Sequence, residues 1–293
     1  MFPLKFKKQF TVPTRPQQTL RFTIVVSPNI SSIAHNLQSF ISKHYPTRII
    51  YQLTSLDINN TNDIYIILYN SRSDKKLPHN YIYYQIEQAG CEGFASSTIL
   101  QHAKMVWDFS TQTLSPTAYY MPMPFYYEES DNKIYSDYQY DILFYGAPND
   151  RRKNILHQLQ QKYNLHIGFA FGEARNTLIK SAKIIVNLHY YTIASIETAR
   201  FNEVLCYNKL IISETSGDAD AYNRNLYADF VDFVDVIKDD FSNISVLCDR
   251  IDRYLLDESN YNDKIMYIKD QKHRLKTHSE YYVDKNIELF LHR

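Results

Sequence analysis

Residues 183–213 read "KIIVNLHYYTIASIETARFNEVLCYNKLIIS", and the order of patterns within them decides the fold. The first run, "KIIVNLHYY", is a short apolar stretch of the kind buried on both faces of a parallel sheet, and the last, "KLIIS", is another. Between them "IETARFNEVLCYN" has helical spacing. At about 100° per residue, steps of three gather Glu197, Arg200 and Glu203 into one stripe about 120° wide, while Ile196, Ala199, Val204 and Leu205 fall largely elsewhere. The charged stripe admits two readings. One is a solvated ladder of i, i+3 ion pairs, worth about a few tenths of a kcal/mol per pair. The other is a ligand site at the edge of a sheet.

Working outward, the same alternation recurs on both sides. From residue 21 come "FTIVVS", the helix-like "NISSIAHNLQSFISKHY", then "TRIIYQL", "DIYIILY", "YIYYQIE" and "AKMVWDFS". The stretch "SPTAYYMPMPFYYEESDNKIYSDYQ" follows, where three prolines disfavour helix or central strand and the composition turns acidic; it reads as a linker. The pattern then restarts with "YDILFYG", "DRRKNILHQLQQKY", "LHIGFAF", "ARNTLIKSA", the opening unit and "DFVDFVD". Two α/β domains are expected, 1–124 and 125–278, with parallel sheets facing a central cleft. The tail reads as one or two helices. Its last apolar residues, Ile287, Leu289, Phe290 and Leu291, need a surface, so 279–293 is expected to pack back on the first domain.

At 293 residues and 34.7 kDa there is material for two cores. Thirty-two basic residues balance 32 acidic ones, which disfavours nucleic acid and an anionic membrane surface as partners, so an anionic ligand must be held locally. Cys91, Cys206 and Cys248 show neither an even count nor C-x-x-C spacing, which argues against a disulfide framework and a structural zinc site. No run of eighteen apolar residues occurs and the N-terminus lacks an apolar signal core, so a reducing, cytoplasmic setting is expected; the sequons at Asn29, Asn59 and Asn243 then carry no weight. The 26 tyrosines accompany abundant Asn, Ile and Lys, as in AT-rich genomes, so aromatic stripes alone do not imply stacking.

Three places concentrate chemistry. In "FYGAPNDRRKNIL" a strand end and Gly146 lead into a helix whose first turn holds Arg151, Arg152 and Lys153. Cations there oppose the helix dipole unless an anion such as diphosphate sits beside them or Asp150 caps the turn, and both readings stand. The phosphate-binding G-x-x-x-x-G-K-[ST] loop and the dinucleotide G-x-G-x-x-G are absent. His189, Tyr190 and Tyr191 end a strand at the expected cleft, where a histidine is either structural or catalytic. In "YIYYQIEQAGCEGF" Glu87 and Gln88 follow a strand, as a ligand-facing pair or as a cap. Asp218 and Asp220 in "SGDADAY" read as turn chemistry rather than a metal pair.

Taken in order, "FYGAPNDRRKNIL", "FGEARNTLIKSAKIIVNLHYY" and "IETARFNEVLCYNKLIIS" resemble the C-terminal half of GT-B nucleotide-sugar glycosyltransferases of group-one type, with short members encoded by large DNA viruses most similar in size. The resemblance covers residues 140–236, and more loosely "YIYYQIEQ" through "VWDFS". It implies that Glu203 holds the ribose hydroxyls, that Phe171 and Gly172 border the base, and that Tyr190 and Tyr191 line the donor sugar and phosphate pocket. Arg152, Lys153 or Arg200 would stabilise the departing diphosphate. Asn208 stands where the family has Gly, and Ser195 stands where retaining members carry a second Glu, with Glu197 two positions away.

The expectation is a glycosyltransferase carrying a sugar, UDP-glucose being the model donor, to a glycan or other hydroxyl acceptor. Catalytic roles fall to Glu87, His189 and Glu197. If the reaction inverts, Glu87, Asp108 and His35 are candidates for the base; retention requires none there. No protein-bound metal or resident cofactor is expected, although a divalent cation can accompany the donor. The chain is expected to be a monomer or weak dimer, in host-cell cytoplasm if virus-encoded. The alternatives are a non-catalytic nucleotide-sugar-binding module and a nucleotide-sugar epimerase of the same architecture.

Overall fold

A computed structural model describes residues 20–51, 62–68, 77–87, 95–110, 117–191, 194–216, 221–238 and 241–293. Gln88, Cys91, Asp218 and Asp220 lie outside the described residues. The first sheet contains β1 (Arg21–Val25), β2 (Thr47–Ile50), β3 (Asp63–Ile67), β4 (Tyr81–Gln85), β5 (Met105–Asp108) and β6 (Ala118–Tyr120), ordered β2-β1-β3-β4-β5-β6. The second contains β7 (Tyr140–Tyr145), β8 (Leu165–Gly168), β9 (Ala182–Asn187), β10 (Leu210–Glu214) and β11 (Val231–Val234), ordered β11-β10-β9-β7-β8. Every pairing among the described residues is parallel. The expected pair of parallel α/β sheets is therefore present, and both use one winding. Strand order reverses between β1 and β3 in the first sheet and between β7 and β9 in the second. Beyond the carboxyl ends of such strands the two neighbouring connections diverge to opposite faces and leave a crevice.

Strands β3, β4 and β10 are buried at every position, as continuous apolar runs covered on both sides must be. Helix α1 (Ser31–Ile41) turns Ile33, Leu37, Phe40 and Ile41 into the first core at helical spacing. The remaining helices are α2 (Ser97–His102), α3 (Asp150–Gln160), α4 (Gly172–Ser181), α5 (Thr198–Cys206), α6 (Ala221–Tyr227), α7 (Ile244–Leu256), α8 (Glu258–Gln271) and α9 (His273–Leu291).

Two elements differ from the sequence reading. Strand β6 forms inside the stretch expected as linker. It is a three-residue, half-buried edge strand, and a proline-flanked segment can pair on one side only. Helix α7 occupies a stretch where no helix is expected, although Leu247, Ile251 and Tyr254 recur at i, i+4, i+7 and are buried.

Among the described residues the chain crosses between the domains after β6 and again at the α8–α9 joint. Helix α8 buries Tyr261, Ile265 and Ile268 in the second core, whereas α9 buries Val283 and Ile287 in the first. At the joint the fully buried Lys272 donates to Cys206 O (2.8 Å) and Leu205 O (3.5 Å), the carbonyl end of α5, and its ammonium lies 4.2 Å from the Tyr127 ring centroid. Asn208, just past α5, has φ +54°, the left-handed conformation in which Asn is tolerated and Gly is usual. Its amide donates to Lys133 O (2.9 Å), fixing the turn into β10.

Candidate functional site

Side chains gather at the carboxyl ends of β7 and β9, where the strand order of the second sheet reverses. Gly146 ends β7 with φ +141°. A Cβ there would lie 3.0 Å from Arg200 Nη2, tighter than usual, and 3.6 Å from Arg152 Nη1, an ordinary contact, so the missing side chain makes room for the Arg200 guanidinium. Gly146→Ala is expected to cost more than about 1 kcal/mol, from backbone strain plus displacement of Arg200, and to weaken nucleotide binding; urea unfolding and calorimetry read the two effects.

Arg200 Nη1 bonds Asn187 Oδ1 and pairs with Glu197 Oε2 at 2.5 Å, while its guanidinium lies 5.2 Å from the Tyr145 ring centroid. Asn187 is oriented in turn by its amide's bond to Ser213 Oγ (2.9 Å). Glu197 also faces Arg152 Nη2 at 3.3 Å. Burial alone would raise the pKa of Glu197, but Arg200 above all, with Arg152 and His189 nearby, brings it down from 4.5 to about 2. A depressed carboxylate contributes stability that is complete above its unfolded pKa and is lost as pH falls through the folded one. Glu197→Gln is therefore expected to flatten the loss of stability between about pH 4.5 and 2, measured as urea midpoint against pH.

Glu203, one turn further along α5, is held from three sides. Arg175 Nη2 pairs with Oε1 at 2.5 Å, Ser32 Oγ of the first domain donates to Oε1 at 3.1 Å, and Tyr145 OH donates to Oε2 at 3.3 Å. Burial raises its pKa, and Arg175, Ser32 and Arg200 offset only part of that. Arg175 also lies 6.0 Å from the Tyr145 ring centroid, and its Nε is buried with no partner among the described residues.

Arg152 behaves differently from a free phosphate ligand. It is 3% exposed, with Nε and Nη2 on Leu188 O (3.0 and 2.6 Å) and Nη1 on Ala147 O (2.8 Å). Burial lowers its pKa to about 10, and it contributes field rather than an open hydrogen-bonding fork. Arg151 pairs bidentately with the fully buried Glu214, which also accepts the His189 and Ile237 N–H groups at 2.6 and 2.7 Å. Lys153 points to solvent and meets Asp150 at 3.3 Å, away from this group. Asn149, rather than Asp150, caps α3: its Oδ1 accepts the Arg152 N–H at 2.9 Å. Altogether four guanidinium groups (Arg151, Arg152, Arg175, Arg200) face three carboxylates (Glu197, Glu203, Glu214), leaving one positive charge in surplus.

His189 is fully buried and Nε2 lies 3.2 Å from Thr215 O. A carbonyl only accepts, so Nε2 carries the hydrogen. Its Nδ1 has no hydrogen-bond partner among the described residues and stands 3.8 Å from Glu197 Oε1, too far for a direct bond. In this tautomer Nδ1 and the Glu197 carboxylate are both acceptors, so a bound hydroxyl, with one hydrogen, can donate to one of them and not to both. Around the rim, Phe171 (48% exposed), Tyr190 (38%) and Tyr191 (49%) present large apolar rings at strand ends, and nothing lies within 4 Å of the Cβ position at Gly172.

Glu87 sits beyond β4 in the first domain, half-buried, with burial raising its pKa. Of the other base candidates, Asp108 is buried and accepts the Ser110 N–H at 2.9 Å, while His35 sits exposed on α1, 3.4 Å from Tyr51 OH. Between the domains, beside Glu203, is a cavity of about 130 Å³ bordered by α1, α4, α5 and the segment after β6. Arg175, Asn187 and Ser32 escape a sequence reading because their partners are 13 to 171 positions away, with no local spacing to mark them. Among the described residues no three His, Cys, Asp or Glu side chains converge as a metal site, and no helix is long and apolar enough to cross a membrane.

No family model matches the chain. An uncharacterized protein of Acanthamoeba polyphaga mimivirus, R358, is 25% identical over 248 residues, covering 80% of this chain and 83% of its own length. Among solved structures, WaaG, a glycosyltransferase involved in lipopolysaccharide biosynthesis, matches with a TM-score of 0.53 at 9% identity, over 92% of this chain and 99% of that one. An α1,3-fucosyltransferase matches with a TM-score of 0.51 at 11% identity, over 87% and 84%. At such identities the likeness is one of fold.

Proposed function

From the GT-B fold of this chain, we propose that the protein is a glycosyltransferase that passes a sugar from a nucleotide-diphosphate donor, a UDP-sugar such as UDP-glucose, to a hydroxyl of a glycan or other acceptor. The observation that carries this reading is the surplus positive charge at the β7/β9 crevice, next to a glycine whose missing side chain lets the guanidinium of Arg200 lie against the strand end. As the bond from the sugar's anomeric carbon to the diphosphate breaks, negative charge grows on the leaving oxygen, and fixed cations in a poorly solvated crevice stabilise it without reorganising.

The chain's residues divide the work along the donor. Arg200 meets the diphosphate, with Arg152 adding field from behind. Glu203 accepts the ribose hydroxyls, and a hydroxyl of the transferred sugar donates to Glu197, beside which Thr215 O holds His189. Phe171 and Gly172 border the base, and Tyr190 and Tyr191 line the donor sugar and phosphate pocket, where their rings shield the reacting centre from water. The acceptor lies against the carboxyl ends of the first sheet, where Glu87, its pKa raised by burial, takes the acceptor proton if the product is inverted. Such a protein works in the cytoplasm as a monomer or weak dimer, with no resident cofactor.

The test is release of UDP from UDP-glucose with and without a glycan acceptor. Slow release without acceptor and faster release with it support transfer. Tight UDP binding with no release from any nucleotide sugar identifies a binding module instead, and conversion to a second nucleotide sugar an epimerase.

A further inference from the structure

We propose that Tyr145 is a positioning residue whose ring holds two guanidinium groups in place, Arg200 for the diphosphate and Arg175 behind the ribose carboxylate Glu203; this rests on the reading of Arg200 and Glu203 above. Tyr145 is the last residue of β7 and is 5% exposed. Successive strand side chains point to opposite faces of a sheet, so Phe144 and Tyr145 divide the end of β7 between the two faces. The crossover helices divide in the same way: α3 leads from β7 outward to β8, whereas α4 and α5 belong to connections that run back across the sheet to β9 and β10. The guanidinium groups sort accordingly. Arg152 of α3 lies 5.4 Å from the Phe144 ring centroid, while Arg200 of α5 and Arg175 of α4 lie 5.2 and 6.0 Å from that of Tyr145.

Two like charges beside one ring repel unless each is fixed. The negative face of an aromatic ring attracts a guanidinium, and a ring shielded from water is where that attraction is largest. Carboxylates hold the outer sides: Glu197 pairs with Arg200, and Glu203 with Arg175. The Tyr145 hydroxyl completes the frame by donating to Glu203 Oε2 at 3.3 Å. Burial, with the Glu203 charge adding to it, raises the pKa of that hydroxyl well above its ordinary value, so it stays a donor throughout the neutral range. A leucine or methionine fills similar apolar space but offers no ring face, and both arginines are then free to follow their carboxylates away from the crevice.

Calorimetry on the full chain with inorganic diphosphate and UDP tests this, with urea midpoints alongside. Tyr145→Leu is expected to weaken inorganic diphosphate about tenfold and UDP further, because Arg175 and Glu203 shift as well. Tyr145→Met, of different shape, is expected to do the same, and serves if the leucine variant does not fold. Tyr145→Phe keeps the ring and drops only the 3.3 Å bond, so it is expected to bind inorganic diphosphate like the wild type and UDP within about threefold. A purely structural ring would lower the urea midpoint and leave both affinities of the folded variants unchanged. That result overturns the proposal, as does a loss of diphosphate affinity in Tyr145→Phe equal to that in Tyr145→Leu. Equal losses for UDP and diphosphate overturn the part assigned to Arg175. If the wild-type chain binds neither inorganic diphosphate nor UDP, the underlying reading falls and this inference with it.

Discussion

Arg200→Ala is expected to lower kcat for sugar transfer by about 10²- to 10³-fold, roughly 3–4 kcal/mol at the barrier, with a smaller change in KM. Among the cations of the crevice, Arg151 is consumed by Glu214 and Arg152 by backbone carbonyls, and Arg175 pairs with Glu203. Arg200 has one nitrogen on Asn187 and Glu197 and the other against Gly146, at the mouth of the crevice. Arg200→Lys is expected to recover only part of the rate, because a point charge cannot hold Asn187 and Glu197 while reaching the diphosphate. Single-turnover kinetics separate this effect from product release, and a wild-type kcat in the alanine variant would remove Arg200 from the chemistry.

Glu214→Ala is expected to destabilise the protein by about 3–5 kcal/mol, seen as a lower urea midpoint. The carboxylate is wholly buried and answers the Arg151 fork and two backbone N–H groups. Its removal leaves a guanidinium 10% exposed without its counter-ion and two buried donors unsatisfied. Arg151→Ala should cost a similar amount. The double variant should cost clearly less than the sum, since replacing both members of a buried pair removes the uncompensated charge. Additive losses would show that the pair is not the source.

The fold was legible because each sheet is written in continuous apolar runs. "DIYII", "YIYYQ" and "LIISE" are buried at every position, and five-residue runs without alternation between turn signals are what a strand covered on both faces requires. Strand β6 was not, since prolines on both sides argue equally for a loop and only pairing with β5 decides it. Within the site, the stripe on α5 and the glycine ending β7 were readable from local spacing. The roles of the basic triplet 151–153 were not. Three adjacent cations on one helical turn point in three directions: Arg151 into a buried pair, Arg152 onto its own domain's carbonyls and Lys153 into water. Helical geometry fixes that they diverge, but only the tertiary surroundings say which one meets which partner.

The ammonium of Lys272 grips the last carbonyls of α5 from the point where the chain leaves one core for the other. Helix α9 is seated with the first lobe, while α5 bears the stripe of ligand-facing charges. Swinging the lobes apart about the α8–α9 joint must therefore either drag the tail of α5 along or break those two bonds, so jaw angle and the tilt of the charged helix are geared together by one lysine.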